Sequence, residues 1–364
     1  MRLDEEQEEL RASVRALLRR HSGDAAWRPL AGQIGAAGLA VPEEYGGAGC
    51  GAVEVHVVME ELGRALSPVP YLGSAVLAVR ALLASGDPAA CADLLPDLAA
   101  GTSVAALAWA ESGSWTPAAI RARATPSSGG WRLTGTKDHV LDGIRADVLL
   151  VAARTPAGPS LFAVRPDAPG VRHEETVPMD TTRPQSRLLL ADAPARLVGT
   201  DGDAARVLAE VLDHACTALA AEQVGAAARC LELTVAYAGQ RVQFGRPIGS
   251  FQAVKHRLAD AYVRVESARS AALGAAFAAA GPTPSPDLPR LAASAKSICS
   301  EAFSEVAAET VQLHGGIGIT WEHDAHRYFK RAHATTHLFG PPHHHRTRLA
   351  DLLGLGPDPA PHLP

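Results

Sequence analysis

The sequence predicts an α+β protein built in three consecutive parts: helices over residues 1–101, a small antiparallel β domain over 102–200 and helices again over 201–354, followed by a tail at 355–364. Three observations carry this expectation. Leu3, Leu10, Val14, Leu17 and Leu18 recur at helical spacing in the opening segment. Near residue 102 the pattern changes to short apolar or β-branched runs bounded by Gly and Pro. From Asp203 a helical stripe returns and persists.

In the first part, Glu and Arg occupy the face opposite the leucine stripe, as in an amphipathic surface helix. A Gly/Pro-rich loop over 38–49 leads to two more helices, 53–66 and 72–84, separated by Pro68-Val69-Pro70. In the second part, 104–110, 131–134, 148–153, 161–164 and 187–190 are strand candidates, and the β texture ends near Gly199. In the third part, Val207, Leu208, Val211, Leu212, Ala215, Leu219 and Val224 form one stripe. A second helix spans 252–280 and ends at the breaker Gly281-Pro282-Thr283-Pro284-Ser285-Pro286; a third spans 291–313. The Pro-rich tail after Gly354 has the composition of a disordered segment.

Composition narrows the function. Hydrophobic residues make up 47% and charged residues 20%, ordinary values for a soluble globular protein. The formal net charge is -5 and no Lys/Arg-rich block stands out, which argues against nucleic acid as a partner. No apolar run reaches the roughly 18 residues that a membrane span needs, and the charged opening segment is unlike a secretory signal. Cys50, Cys91, Cys216, Cys230 and Cys299 are scattered and odd in number, so reduced thiols and a cytoplasmic location are expected. His333 and His337 share a helix face, but no carboxylate motif accompanies them. They read as a solvated face or subunit contact, and no metal is expected.

Three segments carry chemistry. They are Gly38-Leu39-Ala40-Val41-Pro42-Glu43-Glu44-Tyr45-Gly46-Gly47, then Arg241-Val242-Gln243-Phe244-Gly245-Arg246-Pro247-Ile248 with Phe251-Gln252, and Gln312-Leu313-His314-Gly315-Gly316-Ile317-Gly318. Arg241 suits a pyrophosphate, and Phe244 offers a flat face to an adenine. Gly315-Gly316 at a helix end lets a ligand approach the backbone. On residue types alone, a helix-end salt bridge for Arg241 and a simple C-cap for the glycines fit as well. Taken together, in this order and in this setting, the segments resemble the acyl-CoA dehydrogenase family over nearly the whole chain to about Leu353. The resemblance implies that family's fold: an N-terminal helical domain, a middle β domain and a C-terminal four-helix bundle. It also implies that Arg241, Phe244, Gln252, Gln312, Leu313, Gly315 and Gly316 grip the ADP half of an FAD whose flavin ring sits in a neighbouring subunit, and hence an oligomer.

The same resemblance exposes departures. Family chemistry needs a carboxylate to take the α-proton of an acyl-CoA thioester while the flavin takes the β-hydride. The slot of the usual glutamate falls at Phe339, and that of the alternative one at Ala215. The nearest titratable groups are Asp213 and His214, with Glu222 two turns on; each also reads as a helix-surface or interface residue. The flavin-edge segment Thr-Glu-Pro is replaced by Ala110-Glu111-Ser112, with Trp115 placed to occupy the ring's space, and Trp-Ile-Thr by His139-Val140-Leu141. The residues lent to a neighbour's FAD are kept while those of this chain's own site are changed.

The expectation is therefore an FAD-sharing subunit that desaturates an acyl-CoA with a homologous partner. The segment over 316–324 resembles actinobacterial α2β2 enzymes acting on bulky steroid side-chain thioesters, in which one partner carries the glutamate. Electron-transfer flavoprotein is the family's expected acceptor. Two alternatives stay open: a self-sufficient dehydrogenase with a displaced base, and a non-redox or structural protein on the same scaffold.

Overall fold

The computed structural model describes residues 2–281 and 283–355; the expected disordered tail lies, beyond Leu355, outside the described residues. Helix α1 (Glu5–Arg20) starts at a capping box. Asp4 Oδ1 accepts from Gln7 N at 2.9 Å, and Gln7 Oε1 accepts from Asp4 N at 3.1 Å. Its stripe buries Val14 and Leu17. Then come α2 (Trp27–Ile34) and α3 (Ala52–Arg64). The helix expected over 72–84 is present but opens as a fully buried π-helical segment, Tyr71–Ala78, before tightening into α4 (Val79–Ser85). Helix α5 (Pro88–Ala99) is capped by Asp87, whose carboxylate accepts from Ala90 N.

The β domain comprises β1 (Ala105–Ala108), β2 (Arg123–Ser127), β3 (Gly130–Leu141), β4 (Val148–Thr155), β5 (Gly158–Val164), β6 (Val171–Glu175) and β7 (Gln185–Val198). The expectation of a purely antiparallel sheet needs one correction. β1 runs parallel to β4, with Ala105 opposite Val148, and β2 meets β4 in a parallel pairing at Arg123 and Arg154. The chain leaves β1 through a loop and the β2–β3 hairpin before reaching β4, so the two strands point the same way, as a crossover requires. Pairings run β4–β2–β3–β7–β5 and return to β4, which closes the sheet into a ring. Leu133, Val151, Phe162 and Leu188 are among its buried core.

The third part holds α6 (Ala204–Gln240), a hairpin of β8 (Val242–Gln243) and β9 (Arg246–Pro247), α7 (Gln252–Ala279), α8 (Leu288–His314), α9 (Ala325–His337) and α10 (Pro342–Leu352). α6, α7 and α8 pack against one another, and α9 and α10 both pack on α8. The fourth side of the expected bundle is thus made by two short helices. α3 crosses α6 at backbone contact. A Cβ on Gly63 would lie 2.0 Å from Glu222 O, and one on Gly225 would lie 1.8 Å from Glu60 O, so both positions require glycine.

Candidate functional site

At one end of the bundle the structure brings the Arg241 and Gln312 segments together. Tyr237, one turn before Arg241, stacks on His314 with centroids 4.4 Å apart and donates from its hydroxyl to His314 O. This joins the end of α6 to the end of α8. Beyond that joint, Phe244 and Gly245 have φ of +54° and +76°. Two central residues at positive φ make the tight two-residue turn that matches strand twist. The turn holds the Phe244 ring out, 92% exposed. Arg246 covers Phe251 at 4.1 Å in a cation–π contact, which stiffens the base of the hairpin. Arg241, Gln252, Gln312, Gly315 and Gly316 are exposed, and Leu313 is half-buried. Gly315 adopts φ +62° and ψ -143°, a conformation that side chains disfavour.

Phe339, the slot expected for the family's glutamate, looks entirely different. Phe339 is buried, at φ +62°. Its ring stacks on Trp109 at 5.8 Å and meets Trp115 edge-on at 5.0 Å. Trp109 and Trp115 touch edge-to-face at 4.9 Å, and Trp109 Nε1 donates to Trp115 O. His139 stacks on Trp115 at 6.0 Å. Residues from three separate segments therefore form one aromatic plug. Beside it, Glu111 accepts from the amides of Arg121 and Ala122 and from the buried Lys137 ammonium, so its carboxylate is used in holding the loop.

The three candidate bases lie elsewhere, and two of them depart from the helix-surface expectation. Glu222 is buried and paired with Arg183 and Arg331. Burial would raise its pKa, but the two guanidinium groups outweigh that and hold it below the usual range. Asp213 is also buried. Arg348 Nη2 lies 2.6 Å away as an ion pair rather than a well-aligned hydrogen bond, and burial keeps the carboxyl raised. His214 is part-buried, and burial, with Arg80 nearby, pushes it down to about 3. Ala215, at the alternative slot, is buried.

Some important residues escaped the sequence reading. Arg331 on α9 reaches Asp180 at 2.5 Å, Glu222 at 2.9 Å and the Thr182 carbonyl at 3.0 Å. This buried network pins the 180–183 loop of the β domain between α6 and α9. Its members are remote in sequence and share no motif, so no local signal announces them. His333 and His337 are exposed, and among the described residues no group of three or more His, Cys, Asp or Glu is arranged to hold a metal.

Comparison with known proteins decides the family. An acyl-CoA dehydrogenase N-terminal domain model matches residues 4–102, and the C-terminal domain model matches 203–353. Acyl-CoA dehydrogenase IpdE2 of Mycobacterium tuberculosis is 41% identical over 354 residues, covering 93% of this chain and 94% of that protein.

The chain belongs to the acyl-CoA dehydrogenase family.

Among solved structures it is similar to the Tcur3481-Tcur3483 steroid ACAD variant, with 36% identity, a TM-score of 0.85, and coverage of 96% of this chain and 98% of that one. It is also similar to the ChsE4-ChsE5 complex from Mycobacterium tuberculosis, with 31% identity, a TM-score of 0.87, and coverage of 98% and 99%. Acyl-CoA dehydrogenases are FAD-dependent oxidoreductases, so the fit of FAD to this chain can be judged from its two halves. The outward edge fits a nucleotide half: a guanidinium, an exposed ring, side-chain amides and glycine backbone lie together. The Phe339 region does not fit a flavin ring, because Trp109, Trp115 and Phe339 pack on one another there. Among the described residues no helix is long and apolar enough to cross a membrane.

Proposed function

We propose that this acyl-CoA dehydrogenase chain is the FAD-sharing subunit of a heteromer, α2β2 in form. Arg241, Phe244, Gln252, Gln312, Leu313, Gly315 and Gly316 hold the ADP half of an FAD that serves a homologous partner. The partner supplies the glutamate that removes the α-proton of an acyl-CoA thioester. The observation that carries this reading is the contrast between the outward-facing Arg241–Phe244 edge and the buried Phe339 plug. When bound, the flavin supplies hydride acceptance. This chain's residues bind and orient the nucleotide and seal their own subunit's cleft against water. The names of the similar structures, a steroid ACAD and a two-chain complex, support a bulky steroid-related acyl group and a paired assembly. Electron-transfer flavoprotein is the expected acceptor.

The test is co-expression with a homologous chain that carries the glutamate. The expected complex holds one FAD per two chains and oxidises acyl-CoA, while this chain alone does not. A yellow homo-oligomer of this chain that turns over acyl-CoA would overturn the proposal.

A further inference from the structure

The joint between α6 and α8 holds a third ring. His323, in the segment that enters α9, lies against His314 with centroids 4.2 Å apart and planes 41° apart. Rings from α6, from the end of α8 and from the entry to α9 therefore meet at His314. His323 Nδ1 accepts from Ala325 N at 3.1 Å, which fixes that ring to the start of α9.

The chain between His314 and His323 carries Gly315 and Gly316 of the nucleotide edge. It folds back closely on His314. A Cβ on Gly318 would lie 2.8 Å from Val311 O and 3.1 Å from His314 Cβ, so the position requires glycine. The two exposed glycines thus sit on a short turn pinned at both ends, by His314 and by His323.

The charge of His314 matters to this arrangement. Its Nδ1 lies 2.7 Å from Thr310 O. A carbonyl only accepts, so Nδ1 carries the proton and donates it. His314 Nε2 is buried and, among the described residues, has no hydrogen-bond partner. In the neutral ring that nitrogen is a bare acceptor. Protonation would put a charged N–H there with nothing to receive it, which costs far more. The groups around the ring are Tyr237 on α6, His323 before α9 and Thr310 on α8 itself, and none of these is a carboxylate. Burial lowers the pKa of His314; its bond to Thr310 opposes this, and the charge of His323 adds to it.

We propose that His314 is a positioning residue for the nucleotide grip: as a neutral ring packed on Tyr237 and His323 it holds Gly315-Gly316 in place, and on protonation it releases them. The inference rests on the FAD-sharing reading above.

The heteromer with a glutamate-bearing homologous chain tests it, by the FAD retained on dilution, read as flavin fluorescence. Retention by the wild type falls between about pH 7.5 and about pH 5, across the imidazole range. His314→Gln keeps a side-chain donor but cannot titrate. Its retention is lower at the upper end by about 2–10-fold, the scale of one aromatic pair, and does not fall with acid. Tyr237→Leu weakens retention to a similar extent, and Tyr237→Phe, which keeps the ring, restores most of it. A His314→Gln profile that falls with acid as the wild type does, or retention unmoved by Tyr237→Leu, overturns the inference. Arg241→Ala separates it from the reading it rests on. Retention weakened by Arg241→Ala, but by neither His314→Gln nor Tyr237→Leu, defeats the positioning role alone. Retention indifferent to Arg241→Ala as well, or a heteromer without FAD, defeats the grip and this inference with it. If the variants do not fold, NMR of the wild-type chain alone decides. The Gly315 and Gly316 amide signals are expected to move with the titration of the His314 ring, and amides that stay still while the ring titrates overturn the proposal.

Discussion

Phe339 stacks on Trp109 with their planes 6° from parallel, and we propose that this pair fills the place where an acyl-CoA dehydrogenase of the usual kind presents its glutamate. Restoring the acid at that position is therefore not expected to restore an active site. Phe339→Glu removes a ring buried among Trp109 and Trp115, and large-to-small loss of a buried Phe alone costs about 3–5 kcal/mol. Placing an unpaired carboxyl there adds a desolvation penalty. The expected result is a lower thermal midpoint and no acyl-CoA oxidation. A stable, active Phe339→Glu chain would refute the view that aromatic packing has replaced a flavin.

Arg241→Ala leaves the fold of the chain unchanged, because the side chain is exposed at the end of α6. Its effect belongs to the assembly. Losing one charged hydrogen-bonding group weakens FAD retention by about 10–100-fold. Flavin fluorescence released on dilution of the heteromer measures it, and unchanged retention would remove Arg241 from the proposed grip.

Arg331→Met strips Asp180 and Glu222 of a shared partner inside the protein. Breaking one side of a buried ion pair costs about 3–5 kcal/mol, read as a lower urea midpoint. A midpoint like that of wild type would show that Arg183 suffices for Glu222 and that the Asp180 loop is held by other means.

The same network predicts how stability depends on acid. Asp180 and Glu222 are held below their ordinary ranges by their guanidinium partners, against the effect of burial. A depressed folded pKa contributes stability that is complete above the unfolded value, about 4 for carboxyls, and is lost as pH falls through the folded value. Urea midpoints should drop below about pH 4, and the drop should be smaller in Glu222→Gln. Equal acid sensitivity of the two proteins would contradict this.

Lys296 gives a slope of the same sign at high pH. It is buried between α8 and the end of α9, donates to Ser300 Oγ and to the carbonyls of Thr335 and Thr336, and burial lowers its pKa to about 8. The unfolded chain then holds more protons from about pH 8 up to the ordinary lysine value near 10.4, so this group adds stability as pH rises through that window. The stability difference between wild type and Lys296→Met should grow over that range; a flat difference would count against it.

Local pattern accounts for much of the architecture. The stripe of α1, the breaker after α7 and the strand runs of β4 and β5 all lie where apolar period and Gly/Pro punctuation put them. The parallel placement of β1 was hidden, because four buried residues in a row carry no directional information. Burial of Asp213 and Glu222 was hidden for a related reason. A carboxylate on a helix reads as surface until its arginine is known, and Arg348 and Arg331 are remote in sequence.

By itself the sequence determined the family and the order of helices, strands and helices, since motif identity and order survive without coordinates. Only the tertiary structure decided that Phe339, Trp109, Trp115 and His139 close on one another and that Tyr237 joins the two helix ends. Apart from the Trp109–Trp115 pair, those are contacts between residues tens to hundreds of positions apart, and packing and desolvation act on distance in space, about which neighbouring residues in the chain say nothing.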